Sequence, residues 1–107
     1  MFTFIKYAGF ILGMLIFVLT ASATEIDFLQ GDFELAKQKA KEERKLIFVD
    51  AYAVWCGPCK MMDRNTFENA KVADYFNQNF VNLKMDVEKG QGPAFASKYQ
   101  ITGMPTL

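Results

Sequence analysis

The chain contains no histidine, only two cysteines and no excess of either charge. Zinc sites want four ligands, usually cysteine or histidine. Carboxylates would have to complete such a site here, so no metal is expected. Lysine and arginine together number 12, as do aspartate and glutamate, and no basic stripe is present. Nothing in that balance points to nucleic acid or to an anionic membrane surface as a partner. Internal repeats and low-complexity segments are also missing. The apolar stretch Tyr7–Leu19 has 13 residues, short of the roughly 20 that cross a bilayer.

That stretch belongs to a leader. Met1 to Lys6 supply a short, positively charged start, and Thr20 opens a small, polar end. Ala21-Ser22-Ala23 then gives the small-x-small pattern that a signal peptidase accepts. The pattern predicts a secretory signal peptide at residues 1–23, cut after Ala23, and an exported domain at residues 24–107. An uncleaved anchor that also uses Met1 to Ile5 is the alternative. No cysteine follows Leu19 closely, which speaks against a bacterial lipoprotein anchor. The 84 residues from Thr24 to Leu107 hold 11 basic and 12 acidic side chains. They suffice for one small domain with a modest core.

The two cysteines fall in Trp55-Cys56-Gly57-Pro58-Cys59-Lys60. A Cys-x-x-Cys pair just after a run of buried-strand residues is the pattern of dithiol–disulfide exchange. Exported cysteine pairs are more often structural staples. A bridge across two residues, however, removes little chain entropy, so redox activity is the stronger reading.

Periodicity places the pair on a scaffold. Asp32 is a candidate helix N-cap, and Phe33, Ala36 and Ala40 follow at helical spacing. The charges of Lys37 to Lys45 form a solvated helix face. Leu46 to Val49 is a continuous apolar run, typical of a strand buried on both faces, and it continues through Asp50, Ala51 and Tyr52. Pro58 suits a first helical turn, where its missing N–H costs nothing. Cys56 is therefore expected at a helix N-terminus, with Cys59 one turn in. Asn69 to Asn79 reads as helix, with Val72, Tyr75 and Phe76 on one face. Met61 and Met62 are adjacent on a helix and face different ways, which favours packing over copper binding. In the strand that follows, Val81, Leu83, Met85 and Val87 alternate with Asn82, Lys84, Asp86 and Glu88. Gly90 to Gly92 breaks it, and Pro93 to Gln100 can start another helix. The order implies an α/β domain with parallel strand neighbours.

A helix N-terminus favours negative charge, and only a thiolate attacks a disulfide. Cys56 is thus the expected nucleophile and Cys59 the resolving thiol. Gly57 and Pro58 keep the turn tight, and Trp55 can wall the site or simply pack.

The string Trp55 to Lys60 resembles the active site of thioredoxins without a substitution, and the resemblance runs from about Asp32 to Leu107. It implies the α/β thioredoxin fold and a protein-disulfide reductase whose only cofactor is the Cys56–Cys59 dithiol. Disulfide-containing proteins are the implied substrates. An exported reductant also needs a membrane electron donor, and a bacterial periplasm is the expected setting. Asp50 matches the family's buried carboxylate beneath the resolving cysteine, suited to accept its proton. Met104-Pro105 matches the cis-proline loop that meets an extended substrate, and Lys60 follows the motif as in many thioredoxins.

Three features depart from the pattern. The family's buried lysine aligns by count with Asn82, with Lys84 two residues on. The Met61 to Phe80 segment, broken at Asn65 to Asn69, is more similar to the soluble reductase domain of transmembrane thiol:disulfide interchange proteins. The sequence stops where thioredoxins begin the strand after the cis-proline. A fold truncated of its last two strands and helix is therefore expected, with an edge exposed beside Leu46–Tyr52 and poor folding of the isolated piece. Within the class, a disulfide oxidase or isomerase is the rival, although Gly57-Pro58 resembles reducing members. Outside it, the rival is a peptide-binding module without turnover.

Overall fold

The computed structural model describes residues 16–19 and 23–107. Apart from residues 16–19 and Ala23, the expected leader lies outside the described residues. Among the described residues, no helix is long and apolar enough to cross a membrane.

Among the described residues, three strands and four α-helices follow in the order β1 (Phe28–Gln30), α1 (Phe33–Glu43), β2 (Leu46–Tyr52), α2 (Gly57–Met62), α3 (Ala70–Asn79), β3 (Phe80–Asp86) and α4 (Gly92–Lys98). A π-helical stretch, Asp63–Phe67, continues α2. The strands form one sheet in the order β1-β3-β2, and both pairings are parallel. The parallel α/β architecture expected from the sequence is present.

Each face of the sheet has its own apolar layer. On one, Val81, Leu83 and Met85 meet Ala36 and Ala40 of α1, with Phe33 and Phe95 at the margin. The two alanines let α1 lie close to the sheet. Asp32 starts this helix as expected, its carboxylate accepting the Leu35 N–H at 3.0 Å. That bond satisfies one of the donors left free in a first turn. On the other face, Phe28 and Phe48 pack against Phe67, Ala73 and Phe76. Phe48 and Phe76 stand edge to face with centroids 4.8 Å apart.

Because β3 is the middle strand, both its faces are covered. Leu83 and Met85 are fully buried, and Asn82, on the polar side of the alternation, is buried too. On that polar side Asn82 bonds to the Phe76 carbonyl of α3 and Lys84 to Asp63 of the π-helical stretch. The expected helix break at Asn65 to Asn69 is the π-helical stretch followed by a fresh cap. The Asn69 side chain accepts the Lys71 and Val72 N–H groups at 3.0 and 3.3 Å. Tyr75 does not share the buried face with Val72 and Phe76; it is exposed, and Ala73 is the buried residue of α3.

Strand β1 was not foreseen. Only three residues long, it is preceded by a tied segment: Ile26 N–H donates to the Phe67 carbonyl at 3.1 Å. At the far end of the sheet, Gly92 starts α4 so close to β3 that a Cβ would overlap the Asp86 carbonyl. Thr106 forms an antiparallel bridge with Ala51 of β2, its N–H and carbonyl bonded at 3.1 and 2.9 Å. The edge of Leu46–Tyr52 expected to lie open thus meets the chain beyond Pro105 at this one bridge, with no further strand paired there among the described residues.

Candidate active site

Strand β2 delivers the chain to the sulfurs. After Tyr52, buried Ala53 accepts the Cys56 N–H at 3.1 Å, turning the backbone. Cys56 is the N-cap of α2, in extended conformation, with Pro58 in the first turn. Its Sγ accepts the Cys59 N–H at 3.2 Å. This is the placement expected from the sequence: one sulfur at the helix start, the other one turn in. Cys56 and Cys59 are joined in a disulfide with Cα atoms 5.3 Å apart. Both residues are buried, in a cluster with Ala53 that Tyr52, Val87 and Met104 pack against.

Met104 therefore brings the C-terminal loop to the dithiol, and the Met104–Pro105 peptide is cis. Gly57, Pro58 and Lys60 are exposed beside the sulfurs. Trp55 is 63 % exposed, and Val54 and Met61 are exposed too. Trp55 does not simply pack into the core: its Nε1–H donates to the Glu88 carboxylate at 2.8 Å. Met62 packs in the aromatic layer, so of the two methionines only Met62 is a core residue.

Asp50 is 1 % exposed, and neither of its oxygens has a hydrogen-bond partner. Register puts it directly opposite Lys84 of β3, whereas Asn82 pairs with Phe48. Of the two candidates Asn82 and Lys84, it is Lys84 that stands beside the carboxylate. Its Nζ is 3.7 Å from Asp50 Oδ2 but 2.7 Å from Asp63 Oδ2. It also lies 4.6 Å from the Tyr52 ring centroid. Asn82 instead donates its amide to the Phe76 carbonyl at 3.2 Å.

Burial pushes the Asp50 carboxyl above its ordinary value; Lys84 opposes this and the Asp63 charge adds to it. Desolvation dominates because a charge in an apolar interior loses its water shell. Burial raises the Tyr52 hydroxyl as well, with Asp86 contributing.

Sequence reasoning missed Asp63 and Glu88. Asp63 follows Cys59 by four residues, a spacing that shares one helix face, so periodicity could have flagged it. Glu88 carries no comparable signal, since its bond to Trp55 joins two loops. Among the described residues, no group of three or more cysteines or carboxylates stands close enough to hold a metal ion.

A parallel sheet layered by helices, with a Cys-x-x-Cys disulfide at the helix start after β2 and a buried aspartate on that strand, defines a thioredoxin-type domain. The chain belongs to the thioredoxin-like family, whose model matches residues 27–107. It is 41 % identical over 63 residues to a thioredoxin-like protein of Synechocystis, covering 59 % of this chain and 55 % of that one. To a thioredoxin of Staphylococcus aureus it is 41 % identical over 68 residues, covering 64 % and 61 %. Its structure is similar to that of a putative disulphide-isomerase from Bacteroides thetaiotaomicron, with a TM-score of 0.68 and 47 % identity over 79 % of this chain and 70 % of the other. The chain thus spans little more than half the length of the curated relatives it matches.

Proposed function

We propose that the protein is an exported protein-disulfide reductase that works through the Cys56–Cys59 dithiol. The observation that carries this reading is the disulfide itself, set at a helix N-cap above a strand whose buried Asp50 lacks hydrogen bonds.

In the forward reaction the Cys56 thiolate attacks one sulfur of a substrate disulfide. A Cys56–substrate mixed disulfide forms and the substrate's other sulfur leaves as a thiolate. Asp50, as carboxylate, takes the Cys59 proton, and the Cys59 sulfur attacks Cys56. The second substrate thiolate departs and the Cys56–Cys59 bond re-forms. Two electrons pass to the substrate, and protons from the dithiol and from water complete its two thiols. A carboxylate with a raised proton affinity suits this task, because an acceptor works best when it titrates near the working pH. Val54, Trp55 and Met61 supply an apolar rim, and Met104 with Pro105 an edge for an extended substrate.

Export rests on the leader pattern of residues 1–23, and the periplasm and a membrane electron donor follow from it. The name of the Bacteroides relative supports a second reading, disulfide isomerisation, with the same first step. Replacing Cys59 by Ser tests the chemistry. The variant is expected to accumulate a mixed disulfide through Cys56 with a disulfide-containing protein, visible on a non-reducing gel. The Cys56→Ser variant should trap none. A partner retained equally by both variants would mark a binding module without turnover.

A further inference from the structure

We infer that Asp63 is a positioning residue that holds Lys84 off Asp50 and so leaves the Asp50 carboxylate free to take the Cys59 proton. The role deepens the proposed exchange and rests on it.

The geometry is a contest of two carboxylates for one ammonium. At 2.7 Å, Lys84 Nζ makes a charge-assisted hydrogen bond to Asp63 Oδ2; at 3.7 Å it makes none to Asp50. Asp50 is therefore the member left without a donor. With both carboxylates ionised the trio carries a net negative charge in a largely covered place. One proton removes that charge; Asp63 Oδ1 is also buried without a partner, but Asp63 keeps the Lys84 bond through Oδ2, so Asp50, with neither oxygen bonded, is where the proton is gained at least cost.

Exposure is graded along the trio. The side chains of Asp63, Lys84 and Asp50 are 33 %, 15 % and 2 % exposed. Asp63 and Lys84 also line an open cavity of about 870 Å³, shared with residues of β1. The outer carboxylate is partly open to solvent while the inner one is covered. The ionisable groups around Asp50 are Lys84 from β3, Asp63 from the π-helical stretch and Tyr52 from β2 itself.

The test is a carbon-13 carboxyl titration of Asp50 in the oxidised full chain, without substrate. In Asp63→Asn and Asp63→Ser, Lys84 loses its nearer partner and turns to Asp50. Both variants should lower the Asp50 midpoint by about one pH unit. Asp63→Glu should restore it, and Lys84→Met should raise it. An Asp50 midpoint unchanged or raised in the two Asp63 variants would overturn the inference, whatever their activity. Because the disulfide stays intact, this outcome is separate from the Cys59→Ser trap, whose failure would remove the exchange reading instead.

Discussion

At the scale of single residues, Asp50 sets a conflict between stability and chemistry. An aspartate in unfolded chain titrates near 3.8, and burial raises Asp50 above that value in the fold. Below the unfolded value the carboxyl is neutral in both states and costs nothing. As pH rises through the raised folded value, the fold must hold a charge that water would hold better, and stability falls. Asp50→Asn removes that charge and leaves Lys84 its nearer partner, Asp63. We expect the oxidised variant to match the parent at pH 4 and to exceed it by about 1–3 kcal/mol at pH 8, the usual cost of a buried unsatisfied group. Urea unfolding at the two pH values measures this; equal stability at pH 8 would show that Asp50 is well solvated in the fold. Proton transfer from Cys59 should slow in the same variant. Asp50 was legible through the thioredoxin resemblance, which places a buried carboxylate six residues before Cys56, on a strand that is otherwise apolar. Lys84 was not, because its role depends on which β3 residue falls opposite Asp50, and register appears only when the strands pair.

Among elements, α4 is held by its closest approach to β3. Gly92 is buried, and a methyl group there would meet the Asp86 carbonyl, which is backbone and cannot swing aside. Gly92→Ala is expected to cost about 1–3 kcal/mol, the range for overpacking, measured as a lower denaturant midpoint. Tight coupling also predicts a weaker Trp55–Glu88 contact, because Glu88 follows β3 directly; tryptophan fluorescence reads that. A milder change, Asn69→Ala, removes both N-cap bonds of α3 and should cost about 1 kcal/mol. The longer elements were readable because each carries its own period: Phe33, Ala36 and Ala40 for α1, Val81, Leu83 and Met85 for β3. Strand β1 was not, since three residues cannot show a period and its pairing lies over fifty residues away. The π-helical stretch read only as a break, because Asp63–Phe67 contains no proline or glycine to name the kind of break. Tyr75 fits the helical stripe by spacing yet is exposed, since small Ala73 takes the contact instead.

For the whole molecule, the direction of exchange depends on which redox state the fold favours. A strong oxidant of this chemistry owes its potential to a stabilised reduced form. Here the cysteine pair has a helix N-terminus on its favourable side, through Cys56 as N-cap. Against it stands a buried carboxylate on the strand that leads into the pair, with a lysine committed elsewhere. Reduction would place a thiolate in a covered site, whereas the disulfide is neutral and is buried with Ala53 and Met104. A fold that disfavours the reduced form in this way is what the proposed reductase requires. The reference potentials are about −270 mV for thioredoxin and about −120 mV for the strong periplasmic oxidant. That interval of about 150 mV is about 7 kcal/mol for two electrons. We expect the Cys56–Cys59 couple near the lower value, and a melting temperature that falls when the disulfide is reduced. Equilibration with glutathione, followed by thiol labelling, gives the potential. Asp50→Asn should raise it, because losing the buried charge favours the thiolate state. A parent value near −120 mV, with melting temperature rising on reduction, would transfer the protein to the isomerase reading and leave the sulfur chemistry intact.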